Sequence, residues 1–325
     1  MALCDRLEAA QAERETRRNR VVVAALWGLN EREEVGQSPE GMGFHLEHLS
    51  RLTALSDQVE RLRQTILTLA VRGRLTKHNS DDGLASQLLD HLRAEKAALV
   101  KQGLAPRVKV GTLCTDDPPL LPDNWIQTSV GEVCSLITSG SRGWAEHYSA
   151  TGAKFIRAQN IRFGRLRLDD LACVNPPQVA EKTRTRARKG DVLLVITGAG
   201  VTNPGLLDRE LGEAYVSQHV ALVRPTVTDL SRWLLLWLMA PGGARTELVE
   251  RAYGAGKPGL NLDNIRSLPL ALPPTTEQRR IVAKVDELME LCDRLEAQIA
   301  AGEATSSRLL DALLDQALGT DVAVA

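Results

Sequence analysis

The chain has 325 residues, a formal net charge of −1 and 43% hydrophobic residues. That size allows one sizeable domain with helical appendages, or two domains, and the charge balance marks no polyanion partner for the chain as a whole. Its five cysteines, Cys4, Cys114, Cys134, Cys173 and Cys292, show no C-x-x-C spacing. This excludes a disulfide framework and a zinc site, and suits a reducing cytoplasm. The longest apolar runs, near 21–26 and 233–239, fall far short of the roughly 20 residues a bilayer span needs. No membrane association and no secretion signal are expected.

In chain order, residues 1–30 read as a helix that is apolar at both ends and charged between. Glycines and a proline at 31–43 then break it. From 44 to 72 a heptad helix runs, with Leu52, Leu55, Val59, Leu62, Ile66 and Leu69 spaced 3, 4, 3, 4, 3, and Gly73 as its stop. Ser80, Asp81 and Asp82 offer a cap for a helix over 84–101 with Leu84, Leu88, Leu89 and Leu92 on one face. Residues 103–124 hold Pro106, Pro118, Pro119 and Pro122 and read as an extended linker. Short strand-like runs follow at 132–138, 154–161, 166–172, 191–196, 214–225 and 267–272, with helices at 230–239 and 246–252. The last stretch, from Thr276 on, carries Ile281, Val285, Leu288, Cys292, Leu295 and Ile299 at a second heptad spacing. Two seams predict a helix pair.

An internal repeat ties the two ends together: LCDRLEA occurs at 3–9 and again at 291–297, and at the same offset residues 20–26 fall opposite 308–314. In this register Met1 lies opposite Met289, so the chain is expected to begin inside a repeated element. The fold class is α+β: a mixed α/β domain at 122–275, flanked by helical segments at 1–78 and 276–325 whose seams pair. A helix and Pro-rich linker occupy 79–121.

No stretch carries a catalytic pattern. The run Asn175, Pro176, Pro177, Gln178 resembles the motif of base amino-methyltransferases, but Gln178 replaces the aromatic that stacks on a flipped base, and no cofactor loop precedes it. The glycine-rich run 197–205 follows a buried strand. It lacks the third glycine of a dinucleotide loop and the Gly-Lys-Ser/Thr of a phosphate loop. The six histidines form no H-E-x-x-H, and no metal is expected. Charge is uneven, however: residues 125–272 hold 18 Lys and Arg against 13 Asp and Glu, with Lys182, Arg184, Arg186, Arg188 and Lys189 densest. That excess suits DNA phosphates.

Five stretches in this order resemble the specificity subunit of type I restriction-modification enzymes: LPDNW at 121–125, FIRAQNI at 155–161, KGDVLL at 189–194, GLNLDNI at 259–265 and LPPTTEQRRI at 272–281. RQTIL at 63–67 with Gly73, Arg74 and Leu75 is similar to that family's central spacer. The resemblance implies two target-recognition domains, each reading half of a split site in double-stranded DNA, separated by two long helical spacers that form an antiparallel coiled coil. It implies no catalysis and no cofactor of the subunit's own. Modification subunits, which bind S-adenosylmethionine, and a restriction subunit are its implied partners. This chain carries one such domain, so the resemblance implies the C-terminal half of the plan, either part of a longer reading frame or a half-subunit that forms a homodimer. The other class of reading is a scaffold that binds modification subunits without reading DNA.

Base reading needs polar side chains on loops able to reach groove edges. The candidates are Ser139, Ser141, Arg142 and Trp144 in the first glycine loop, Arg157, Gln159 and Asn160 after the second strand, Thr197 and Asn203 in the glycine-rich loop, and Lys257 and Asn261 near 254–264. Asn261 and Asn264 suit satisfaction of backbone groups equally well.

Overall fold

The computed structural model describes residues 5–6, 9–10, 13–14, 16–17, 20–22, 24, 56–107, 121–140, 142–176, 184–253 and 258–319. In chain order the helices are α1 (Ser56–Val71), α2 (Ala85–Lys101), the single turn α3 (Val130–Val133), α4 (Ser231–Met239), α5 (Thr246–Tyr253), α6 (Leu262–Arg266) and α7 (Thr275–Gly319). The strands are β1 (Ile126–Ser129), β2 (Cys134–Ser139), β3 (Tyr148–Ser149), β4 (Ala153–Ile156), β5 (Ile161–Arg162), β6 (Arg165–Leu166), β7 (Ala172–Val174), β8 (Val192–Val195), β9 (Pro204–Leu206), β10 (Ala214–Val216), β11 (Val220–Pro225) and β12 (Pro269–Leu272). The break at 31–43, the first turns of the helix expected from 44 and most of the proline linker lie outside the described residues.

The chain divides into two units, Met1–Ile66 with Lys284–Ala325, and Leu67–Ala283. In the first, the heptad seams are buried in part: Val59, Leu62 and Ile66 of α1 and Val285, Leu288 and Cys292 of α7 are buried, Leu295 and Ile299 are half-buried, and Leu52 and Leu55 lie outside the described residues. Arg63 forks across to Asp293 and Glu296, each at 2.7 Å. Burial of Cys292 pushes its thiol up to about 11. Further along α7, Leu309, Leu310, Leu313 and Leu314 are between 56% and 62% exposed.

In the second unit, Gly73 ends α1 at φ +68°, and the N–H groups of Gly73 and Arg74 return to the carbonyls of Ala70 and Leu69. This is the left-handed glycine stop the sequence announces. The expected cap of the next helix differs. Ser80–Asp82 forms its own 3-10 turn, capped by Asn79 accepting from the Asp81 N–H at 3.1 Å, and α2 begins three residues later. Leu89 and Leu92 are buried as expected, whereas Leu84, which precedes the helix, is 53% exposed.

Two four-stranded sheets lie in this unit, one ordered β2-β11-β8-β9 and antiparallel, the other β10-β4-β7-β3 with β4 and β10 parallel. Leu193, Val195 and Leu222 from the first sheet and Ile156, Ala214 and Val216 from the second close into one core. The apolar run 192–195 is wholly buried, which explains why it shows no alternation. A ribbon of β1 with β12 is held by α4, whose Trp233 and Trp237 indoles donate to Ala271 O at 2.9 Å and Pro269 O at 2.7 Å. The helices expected at 230–239 and 246–252 form as α4 and α5. Several elements depart from expectation. Residues 132–138 start as the turn α3 before β2, the run at 154–161 is broken after Ile156 by a 3-10 turn at Ala158–Asn160, and most of the run at 166–172 is a connection between β6 and β7. The run at 214–225 divides into β10 and β11, β9 opens inside the glycine-rich run 197–205, and α6 begins inside the loop expected at 254–264.

Candidate nucleic-acid interface

The parallel pairing of β4 and β10 sends both strands out at the same edge, so Arg157 and Ser217 leave the sheet as neighbours. The Ser217 N–H donates to Ile156 O at 2.9 Å. The short turn Ser217, Gln218, His219 that follows is a hub for three further loops. Ile196, leading the glycine-rich loop, donates to His219 O at 2.9 Å, and Leu260, next to Asn261, donates to Ile196 O at 2.9 Å. Gly140, after β2, sits so close to the carbonyls of Val216 and Ser217 that a Cβ there would overlap them. Loops distant in sequence thus meet at one edge of the unit, where polar side chains project from a packed base.

The glycine-rich loop is bent by left-handed residues at Gly198, Gly200 and Thr202, with φ of +88°, +80° and +74°. Arg245 clamps it from the segment before α5, donating to Thr202 O at 2.5 Å and Oγ1 at 2.8 Å, while its guanidinium stacks 5.0 Å from the Phe163 ring centre. The basic segment after residue 183 reaches the same edge: Arg184 donates to Thr138 Oγ1 and, at 3.3 Å, to Ser139 O. Behind the edge, Arg224 forks onto buried Asp191 at 2.7 Å on each oxygen. Such a fork fixes the plane of both groups. Arg157 Nε and Ser217 Oγ are buried and lack a hydrogen-bond partner among the described residues, an arrangement that costs about 1–3 kcal/mol each and collects at functional sites.

The predicted site residues divide three ways. Ser139, Arg142, Arg157, Gln159, Thr197 and Asn203 stand on the converging loops with at least part of the residue at the surface. Trp144 and Asn160 are buried in structural roles, and Asn261, at the surface, caps a helix. Trp144 is 4% exposed, stacked on Phe155 at 5.3 Å and packed on Tyr215 at 5.0 Å, so no ring face is open to a base. Burial, with Glu213 accepting from the hydroxyl at 2.6 Å, raises the neighbouring Tyr215 phenol far above its ordinary value. Asn160 is 3% exposed; its carbonyl accepts from the Arg157 N–H and its amide donates to Asp170 O, each at 3.0 Å. Asn261 caps α6, accepting from the Asn264 N–H at 2.7 Å while Asn264 returns the bond at 3.0 Å. Ser141 and Lys257 lie outside the described residues. Gln218 and His219 were not among the predicted readers. Their signal in sequence is a polar pair between two buried strands, which reads simply as a turn.

Among the described residues, no group of three or more His, Cys, Asp or Glu is placed to hold a metal ion, and no helix is long and apolar enough to cross a membrane. The model of the type I restriction modification DNA specificity domain matches residues 122–302. The EcoAI specificity subunit of Escherichia coli is 26% identical over 325 residues, an alignment that takes in 98% of this chain and 54% of that protein. The EcoEI specificity subunit of the same organism is 25% identical, with 98% and 55% covered. The chain therefore spans about half the length of these curated relatives. Among solved structures, a chain from work on complex assembly and conformational transition of the type I R-M system aligns with a TM-score of 0.51 at 21% identity, covering 86% of this chain and 58% of its own length. This is a likeness of fold.

Proposed function

The chain belongs to the family of the type I restriction modification DNA specificity domain, and from this premise we propose that it is a sequence-specific DNA-recognition subunit without catalysis of its own. It reads one half of a bipartite target through the loops gathered at the 217–219 turn and docks modification subunits. Those subunits supply S-adenosylmethionine chemistry, and a restriction subunit completes the complex in the cytoplasm. The observation that carries the reading is the convergence of polar loops, from sequence positions as far apart as 139 and 260, on one edge of a unit with an excess of basic residues. Base edges are read from such loops, while arginines on their flanks neutralise phosphates.

One head on its own makes half of the contacts of a bipartite reader. Binding by the single chain is therefore expected to be weak and to fall steeply with salt, as the release of counterions requires. The deciding experiment is selection from a randomised duplex library by the full chain with its modification subunits. One enriched half-site supports recognition. Stable assembly with those subunits and no enriched sequence supports the scaffold reading instead.

A further inference from the structure

We infer that Gln218 is a specificity-determining residue of this interface, its amide oriented by His219 and Thr197 to read an adenine edge in the major groove. The inference rests on the recognition reading above and names a residue and a base for it.

Gln218 and His219 are exposed at the turn between β10 and β11. The backbone under them is fixed from both sides, by Ser217 N–H to Ile156 O at 2.9 Å and by Ile196 N–H to His219 O at 2.9 Å, with Val220 N–H closing the turn onto Ser217 O at 3.0 Å. Above that backbone the side chains form a short relay. His219 Nε2 is 3.2 Å from Gln218 Nε2, and His219 Nδ1 is 2.6 Å from Thr197 Oγ1. An amide nitrogen can only donate, so His219 Nε2 accepts, the imidazole proton sits on Nδ1, and it points at the Thr197 oxygen. The Gln218 amide thereby sets the tautomer, and the Thr197 oxygen, accepting from Nδ1–H, holds the ring in the plane that meets the amide.

The consequence is chemical. One of the two amide N–H groups is engaged by His219, leaving one N–H and the carbonyl oxygen directed away from the imidazole. That donor and acceptor match the acceptor N7 and the amino group of adenine. Guanine presents two acceptors, cytosine one donor, and thymine an acceptor beside a methyl group. A glutamine already held by a neighbour also loses less rotamer freedom on binding than a free one. With both side chains at the surface, the relay has little packing role to explain it.

The test is the library selection repeated with variants of the full chain and its modification subunits, after each has shown the wild-type melting temperature. Gln218→Ala should reduce the preference for adenine at a single half-site position by about tenfold and leave the other positions unchanged. Gln218→Glu, which offers only acceptors, should exchange that preference for cytosine. Thr197→Val should weaken the same position, and Thr197→Ser should retain it, as a positioning hydroxyl requires. An unchanged motif in the Gln218 variants overturns the assignment. So does an equal loss across all sequences with a shallower salt dependence, because that is the signature of a phosphate contact. A wild-type protein that enriches no motif overturns the recognition reading itself, and the assignment with it.

Discussion

Thr202 is a β-branched residue held at φ +74°, in a region that costs about 1–3 kcal/mol for anything but glycine. The two bonds from Arg245 to its carbonyl and hydroxyl are what hold it there, since they use the threonine oxygen that a glycine would lack. The strain is thus local and compensated, and its effect is to fix the approach to Asn203 and the strand after it. Trp144 shows the opposite economy of a large side chain. Having no open face, it acts through packing, and Trp144→Ala should lower the free energy of unfolding by about 3–5 kcal/mol in urea titration. A loss of base preference without that destabilisation would return Trp144 to the interface. This outcome also marks the boundary of what the residues alone could reveal. Tryptophan beside arginine in a glycine loop has the composition of a stacking site, and only the positions of Phe155 and Tyr215, distant in sequence, decide that the core takes it.

Elements with a strong period were legible, and elements held by single hydrogen bonds were not. The seams of α1 and α7 repeat over many turns, so burial follows from spacing alone. The five-residue helix α6 has no room for a period; its start is written in the reciprocal Asn261 and Asn264 bonds, an asparagine version of the capping box. At the start of α7, Glu277 is fully buried, with Asn124 donating to one oxygen at 3.0 Å and His78 Nδ1 at 2.6 Å from the other. The hydrogen bond to Glu277 raises the His78 pKa above its ordinary value, opposed by partial burial and by Arg280, which is itself forked onto Asp82. A raised value in the folded state means that the protonated histidine favours folding. Its contribution is complete below the unfolded value of about 6.5 and is lost as pH rises through the folded value. The melting temperature of the wild type should therefore drop more between about pH 6 and about pH 8 than that of His78→Gln. Parallel profiles for the two proteins would show that this pair contributes nothing.

At the scale of the whole molecule, a bipartite target requires two reading heads, and this chain supplies a single match to the specificity-domain model, over 122–302. A longer reading frame or a second copy of this chain would provide the second head, and we propose the second copy, as a homodimer. The surface suited to such pairing is the apolar stripe of Leu309, Leu310, Leu313 and Leu314, each more than half exposed in one chain. Its counterpart in the repeat, residues 20–26, carries an apolar run at the same offset. A single well-placed charge in an apolar helix seam is strongly unfavourable, because it must be desolvated without a partner. Light scattering on the full chain is accordingly expected to give twice the mass of one chain, and Leu310→Glu together with Leu314→Glu to give the single mass. The recognition unit, Leu67–Ala283, does not include the stripe, so its melting transition should survive that double substitution. A wild type that scatters as one chain at every concentration would remove the homodimer. A lost transition in the variant would mean that the helical unit and the recognition unit fold as one.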